Sequence, residues 1–235
     1  MDFNKLKYMG LLCLMCAFLF GFYCFLSCQI DKSTPADNIN LTLTDDEVKF
    51  KKEYEILNGT YRNESPIINV EIPDDNNIVY LDDSNIIDTL KNEKGIFYFG
   101  FDYCPWCRRM LPTMFESMKD ANVETIYYYD FHAIRAAFEN DKDSKEAKIY
   151  IELMDILGKK VTDKFEGSDV KRMTAPYVFA VDNGMVLGSH KNVVDSYTDT
   201  TKELTDEQKQ ELKRKFDNLF KLISSDKCDV SSAGC

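Results

Sequence analysis

Along this chain apolar positions recur with a period of either two or about 3.6, and each change of period marks a new element. Ile96 to Phe101 is apolar or aromatic on both alternating faces, which predicts a strand buried in the middle of a sheet. Ile67–Ile72 and Ile78–Leu81 predict shorter strands before it, with a helix over Ser84–Asn92 returning the chain to the centre. Beyond Cys104, residues Cys107, Leu111, Met114, Phe115 and Met118 form a stripe at helical spacing, and Pro112 should kink that helix. Val123–Phe131 predicts a Tyr-rich strand. Ala133–Leu157 predicts two helices, the second with Ala147, Tyr150 or Ile151, Met154 and Leu157 on one face and Gly158 as its stop. Tyr177–Val181, the turn Asp182-Asn183-Gly184 and Met185–Ser189 predict a hairpin. Two capping boxes open helices: Thr44 with Glu47 begins one running to about Asn58, and Thr205 with Gln208 begins one with Leu212, Phe216, Leu219, Phe220 and Ile223 on its apolar face. Alternating strands and helices followed by a hairpin predict an α/β fold, a mixed central sheet flanked by helices.

Both ends of the chain ask for a different reading. Lys5 and Lys7 precede a run from Tyr8 to Leu26 without a charge, long enough to cross a bilayer. The lysines would keep the N-terminus in the cytoplasm and send the rest outside. Three versions stay open: an uncleaved anchor, a cleaved signal, and a lipoprotein signal with Cys28 as the lipidated residue. Each puts the protein at or beyond the extracytoplasmic side of the cell membrane, where disulfides persist. The expected organisation is an anchor or signal over 1–30, a tether with its charged helix over 31–66, a domain over 67–225 and a tail over 226–235.

Composition narrows the function. A formal net charge of −11, with no Gly-rich phosphate loop, argues against nucleic acid as a partner. The 44% hydrophobic content supports one sizeable core. The eight cysteines fall into three groups. Cys13, Cys16 and Cys24 read as small apolar residues in lipid. Cys228 and Cys235 enclose a short loop, either a structural disulfide clip or a second redox pair.

The central group, Cys104-Pro105-Trp106-Cys107, carries the chemistry. Pro105 suits a first helical position, which makes Cys104 the N-cap at the junction of strand and helix. A sulfur there faces unpaired N–H groups and the positive end of the macrodipole, which favour thiolate. Cys104 is therefore the attacking sulfur, and Cys107, one turn on, can close a disulfide with it or resolve a mixed one. Arg108 and Arg109 follow directly and add positive charge nearby. Zinc would need further ligands; there is no second C-x-x-C or H-x-x-H, and His132 and His190 stand far apart in sequence. No metal and no cofactor is implied. A purely structural disulfide at such a junction would be strained and easily reduced.

This order, with C-x-x-C where the central strand meets its helix, resembles the thioredoxin family. Pro112, eight residues after Cys104, matches that family's kinking proline, and Pro176, eight before Gly184, matches its cis-proline. A closer resemblance rests on Phe50–Gly59, Tyr98–Met114 and Glu203–Lys213, which look like the membrane-tethered thioredoxin-like proteins of low-GC Gram-positive bacteria often labelled bacteriocin-transport accessory proteins. The terminal cysteine pair agrees with that group. The resemblance implies a thioredoxin-like fold over 67–225, with a helical insertion at about 133–158 before the cis-proline strand. That insertion would serve as core cover, or as a lid or docking surface. It also implies a thiol–disulfide oxidoreductase acting on protein thiols or disulfides, with a membrane electron donor or acceptor as a further partner. Cys104 and Cys107 would be catalytic. Ala175 and Pro176 would pair with an extended substrate segment, and Trp106 would offer it an aromatic surface or else pack on the domain edge. The family usually buries an aspartate six residues before the first cysteine; Tyr98 stands there, so Tyr98 and Asp102 are candidates for tuning. Pro-Trp is nearer the Pro-Tyr of glutaredoxins than the Gly-Pro of thioredoxins. The alternative is a non-catalytic accessory or scaffold protein of an export or bacteriocin-related system that keeps the fold and binds a partner by its surface.

Overall fold

A computed structural model describes residues 43–158, 163–164 and 171–224. The expectations for 1–30, Cys28, Cys228 and Cys235 lie outside those residues. Thr44 opens helix α1 (Asp45–Glu55) with the capping box read from the sequence: its hydroxyl accepts from Glu47 N, and the Glu47 carboxylate accepts from Thr44 N. The compact unit begins at Leu43. Phe50 and Tyr54 of α1 are fully buried in its core, so the helical part of segment 31–66 is built into the unit rather than trailing from it.

A two-stranded hairpin, β1 (Tyr61–Arg62) and β2 (Ser65–Pro66), follows. The strand expected over Ile67–Ile72 does not form. Val70 and Ile72 are buried as their apolar character requires, but side chains occupy the backbone groups that a ladder would need. Asn58 bonds both N and O of Val70, at 3.0 and 2.8 Å. The Glu55 carboxylate accepts from Ile72 N at 2.8 Å, and Arg108 Nε donates to the Ile68 carbonyl. Burial was legible there; the partner was not.

The main sheet has five strands in the order β3-β5-β4-β8-β9. These are β3 (Ile78–Tyr80), β4 (Lys94–Phe99), β5 (Ile126–Tyr129), β8 (Tyr177–Asp182) and β9 (Met185–Lys191). β4 runs parallel to β5 and antiparallel to β8, so the sheet is mixed and β4 is its central strand, as the all-apolar run predicts. Helix α2 (Ile86–Asn92) leads into β4, and α3 (Pro105–Asp120) leads out of it. Pro112 lies inside α3, where it cannot donate to the turn before it. The hairpin turns at Asn183 and Gly184, whose φ of 47° and 82° are the left-handed pair a two-residue turn requires. A further two-stranded piece, β6 (Asp163–Lys164) with β7 (Lys171–Arg172), precedes it.

Alternation along β4 divides the core. Ile96 and Tyr98 face a layer built by α1, α3 and α6 (Asp206–Ser224), while Phe97 and Phe99 face the opposite layer. That second layer holds α2, α4 (His132–Asn140) and α5 (Lys145–Leu157). In α5 the buried face uses Tyr150 rather than Ile151, with Ala147, Leu153, Met154 and Leu157. The α4–α5 pair thus packs as core cover. Thr205 and Gln208 cap α6 reciprocally, at 3.0 and 3.3 Å.

Candidate active site

The turn from β4 into α3 brings the two central cysteines to one spot. Cys104 is the N-cap of α3, with φ −68° and ψ 119°, and Pro105 takes the first helical position. Cys104 Sγ accepts from Cys107 N at 3.4 Å, which is how a capping side chain satisfies an orphan donor. On its other side the Cys104 thiol lies 3.8 Å from the Ala175 carbonyl. Ala175–Pro176 is a cis peptide at the mouth of β8. Cys104, Cys107, Ala175 and Pro176, far apart in sequence, therefore meet at the C-terminal end of the central strand.

Both cysteines are free thiols, Cys104 4% exposed and Cys107 fully buried. Their acidities are driven apart. A hydrogen bond from the Cys107 side chain, then the N–H groups of Cys107 and Trp106 and the charge of Arg135, hold Cys104 below the ordinary thiol range despite its burial. Burial pushes Cys107 well up, and the neighbouring Cys104 sulfur adds to this. Such a pair can offer one sulfur as a nucleophile and hold the other protonated in reserve. Iodoacetamide labelling of Cys104 should reach half its maximal rate below the pH of about 8.5 at which an unperturbed cysteine does so. The rate falls as pH drops through the lowered value, because only thiolate reacts; a half-point at or above that of free cysteine, with Cys104→Ser as blank, contradicts the geometry.

Arg108 and Arg109 do not face the sulfurs. Arg108 is buried and donates to the carbonyls of Ile68, Tyr54 and Asp102 and to Asn58 Oδ1, pinning α3 to α1 and the segment after it. Arg109 pairs with Glu203 and the Thr200 carbonyl. The cation nearest in effect is Arg135 of α4, whose guanidinium lies 5.7 Å from the Phe101 ring and 5.4 Å from the Phe131 ring. Sequence reading missed it, since nothing local ties residue 135 to residue 104.

Trp106 is half-buried and meets Tyr197 edge-to-face at 5.6 Å, so it packs on the domain edge while keeping a partly open ring beside Cys104. Tyr98 is fully buried on the Cys107 side of the sheet, and its hydroxyl lies 2.9 Å from that of Tyr54. Asp102 contributes through its main chain, accepting from Arg108 at 2.8 Å. A groove of about 700 Å³ starts at Tyr103 and Pro105, the neighbours of Cys104, and runs between the β1–β2 hairpin and Thr200–Thr201. Arg62 closes one side of it, its guanidinium 3.3 Å from the Tyr103 ring centre. Among the described residues no cluster of metal-ligating side chains occurs. No protein-family model matches this chain, and no curated protein matches it.

Proposed function

We propose that this protein is a thiol–disulfide oxidoreductase with a thioredoxin-like fold, acting outside the cytoplasm on thiols or disulfides of other proteins. The observation that carries this reading is the Cys104–Cys107 geometry: an N-capping sulfur of raised acidity, a buried partner one turn on, and the Ala175 carbonyl 3.8 Å away. A merely structural pair has no use for sulfurs of such different acidity.

The chemistry follows from the two thiols alone. The Cys104 thiolate attacks one sulfur of a substrate disulfide; an S–S bond forms to Cys104, and the other substrate sulfur leaves with the electron pair of the broken bond. Cys107 then attacks Cys104 Sγ, closing Cys104–Cys107 and releasing the second substrate sulfur as a thiol. In reverse, the oxidised pair accepts a substrate thiolate and makes a disulfide. An extended substrate segment pairs with the backbone at Ala175, Trp106 supplies an aromatic rim, and Tyr98 tunes Cys107. Export rests on Lys5, Lys7 and the uncharged Tyr8–Leu26 run, as anchor or lipoprotein signal.

The test is reduction of insulin disulfides by full-length protein with dithiothreitol as the electron source. The expected result is an acceleration lost in Cys104→Ser. Equal rates for wild type and a Cys104→Ser, Cys107→Ser double variant, in this assay and in cells, would leave the accessory or scaffold reading in its place.

A further inference from the structure

The groove that begins at Tyr103 and Pro105 sets its contents beside Cys104, since those two residues flank it in the chain. Arg62 of β1 lays its guanidinium on the Tyr103 ring, 3.3 Å from the ring centre. At that distance the contact is made through the guanidinium face, so the N–H groups around the edge of its plane are unspent. Among the described residues no carboxylate or carbonyl takes them up. The groove's other arginine differs: Arg109 is held by Glu203 and the Thr200 carbonyl, and so fastens the far wall to α3. Of the carboxylates near these walls, Glu203 is taken by Arg109 and Asp199 by Thr201 and Lys202, while Glu64 stands exposed at the hairpin turn. Tyr103 adds a second unmet group. Its hydroxyl is buried with no hydrogen-bond partner among the described residues, although such groups are nearly always bonded. A chain of net charge −11 thus keeps an unpaired, preoriented fork of donors on the residue before its nucleophile.

We propose that this groove holds the stretch of substrate chain beside the reacting disulfide, and that Arg62 selects substrates carrying an aspartate or glutamate there. This rests on the oxidoreductase reading above and gives it a substrate class: polypeptides with a carboxylate a few residues from the cysteine. The two oxygens of a carboxylate match the open edge of the guanidinium, which can serve both at once. Stacking on Tyr103 already fixes the Arg62 side chain, so pairing costs less freedom than at an ordinary surface site. Asn63, Ser65 and Thr200 line the walls and offer hydrogen bonds to the main chain of the segment, and the Tyr103 hydroxyl gains the partner it lacks. A lysine or arginine in the same place meets Arg62 as a like charge, so the site rejects as well as selects.

The experiment uses the reduced full-length protein and short alanine-based peptides whose single cysteine is joined in a disulfide to 2-thiopyridine. Glu, Gln or Lys is placed in turn at each position around that cysteine. The Cys104 thiolate attacks the peptide sulfur, a disulfide forms between them, and 2-thiopyridone leaves with the electron pair of the broken bond; its absorbance reads the rate. At low salt the best glutamate peptide should react about five- to tenfold faster than its lysine twin, with glutamine between, and about 0.5 M salt should shrink the gap. Arg62→Ala should bring that ratio within about twofold, and Arg62→Glu should invert it. Equal rates for glutamate and lysine peptides at every position, or a ratio that survives Arg62→Glu, overturns the inference and leaves the oxidoreductase reading standing. The same peptides, with serine for cysteine and a rhodamine label, are also titrated onto the Cys104→Ser, Cys107→Ser double variant and followed by anisotropy. A glutamate preference in that titration, with no release of 2-thiopyridone by the wild type above the double variant's rate, keeps the acidic-segment site and overturns the oxidoreductase reading instead.

Discussion

Replacing Cys107 by serine should stop the protein halfway, as a covalent adduct with its substrate. Cys104 keeps its backbone donor and its place at the helix N-terminus in that variant, and a serine hydroxyl at 107 can donate to its sulfur in place of the lost thiol. It still attacks a disulfide and becomes joined to one substrate sulfur. A serine hydroxyl at 107 cannot displace that sulfur, so the adduct lasts until an outside thiol removes it. Non-reducing electrophoresis followed by mass spectrometry should show nearly complete adduct at residue 104, with turnover reduced to that of the uncatalysed exchange. Cys104→Ser should give no adduct at this site and the same loss of turnover. If Cys107→Ser turns over at the wild-type rate, the buried sulfur has no part in the reaction and the division of roles argued from burial and acidity is wrong.

The second large effect concerns stability. Arg108→Ala should destabilise the fold by about 3–5 kcal/mol, because a buried cation and its full set of hydrogen bonds are removed together. The guanidinium serves the carbonyls of Ile68, Tyr54 and Asp102 and the Asn58 side-chain oxygen. Truncation leaves those acceptors short of a donor in a region closed to water, and adds a cavity. Lysine at 108 should recover less than half of the loss, since an ammonium is not a planar fork and cannot reach acceptors spread around one plane. Arg109 provides the contrast within the same helix. Its partner Glu203 is 80% exposed although the Arg109 side chain is only 9% exposed, so the ion pair adds little and Arg109→Ala should cost about 1–2 kcal/mol, mostly lost packing and the bond to the Thr200 carbonyl. Urea denaturation of the variants separates these cases; similar small losses for Arg108→Ala and Arg109→Ala would contradict the pinning role.

What the sequence revealed follows from the range of the interactions involved. The N-cap at Cys104, the two capping boxes and the Asn183-Gly184 turn each depend on residues a few positions apart, and each is present as read. The run from Ile96 to Phe99 was legible as a central strand because burial on both faces leaves no polar alternation. Ile67–Ile72 misled for a matching reason: its apolar side chains are buried, yet Asn58, Glu55 and Arg108 hold its backbone, and nothing local announces them. Tyr54 and Tyr98 are 44 positions apart, so their shared hydrogen bond and the place of α1 in the core could not be read from either segment alone. Arg135 reaches the active-site rim from a helix that periodicity marks only as core cover.

The central claim is that Cys104 and Cys107 form one reversible redox couple. Its most direct test equilibrates the full-length protein in glutathione buffers of graded potential and follows Trp106 fluorescence. The account predicts a single two-electron transition with a midpoint between about −270 and −120 mV, absent from both Cys104→Ser and Cys107→Ser. No transition in the wild type, or the same transition in both variants, would contradict it.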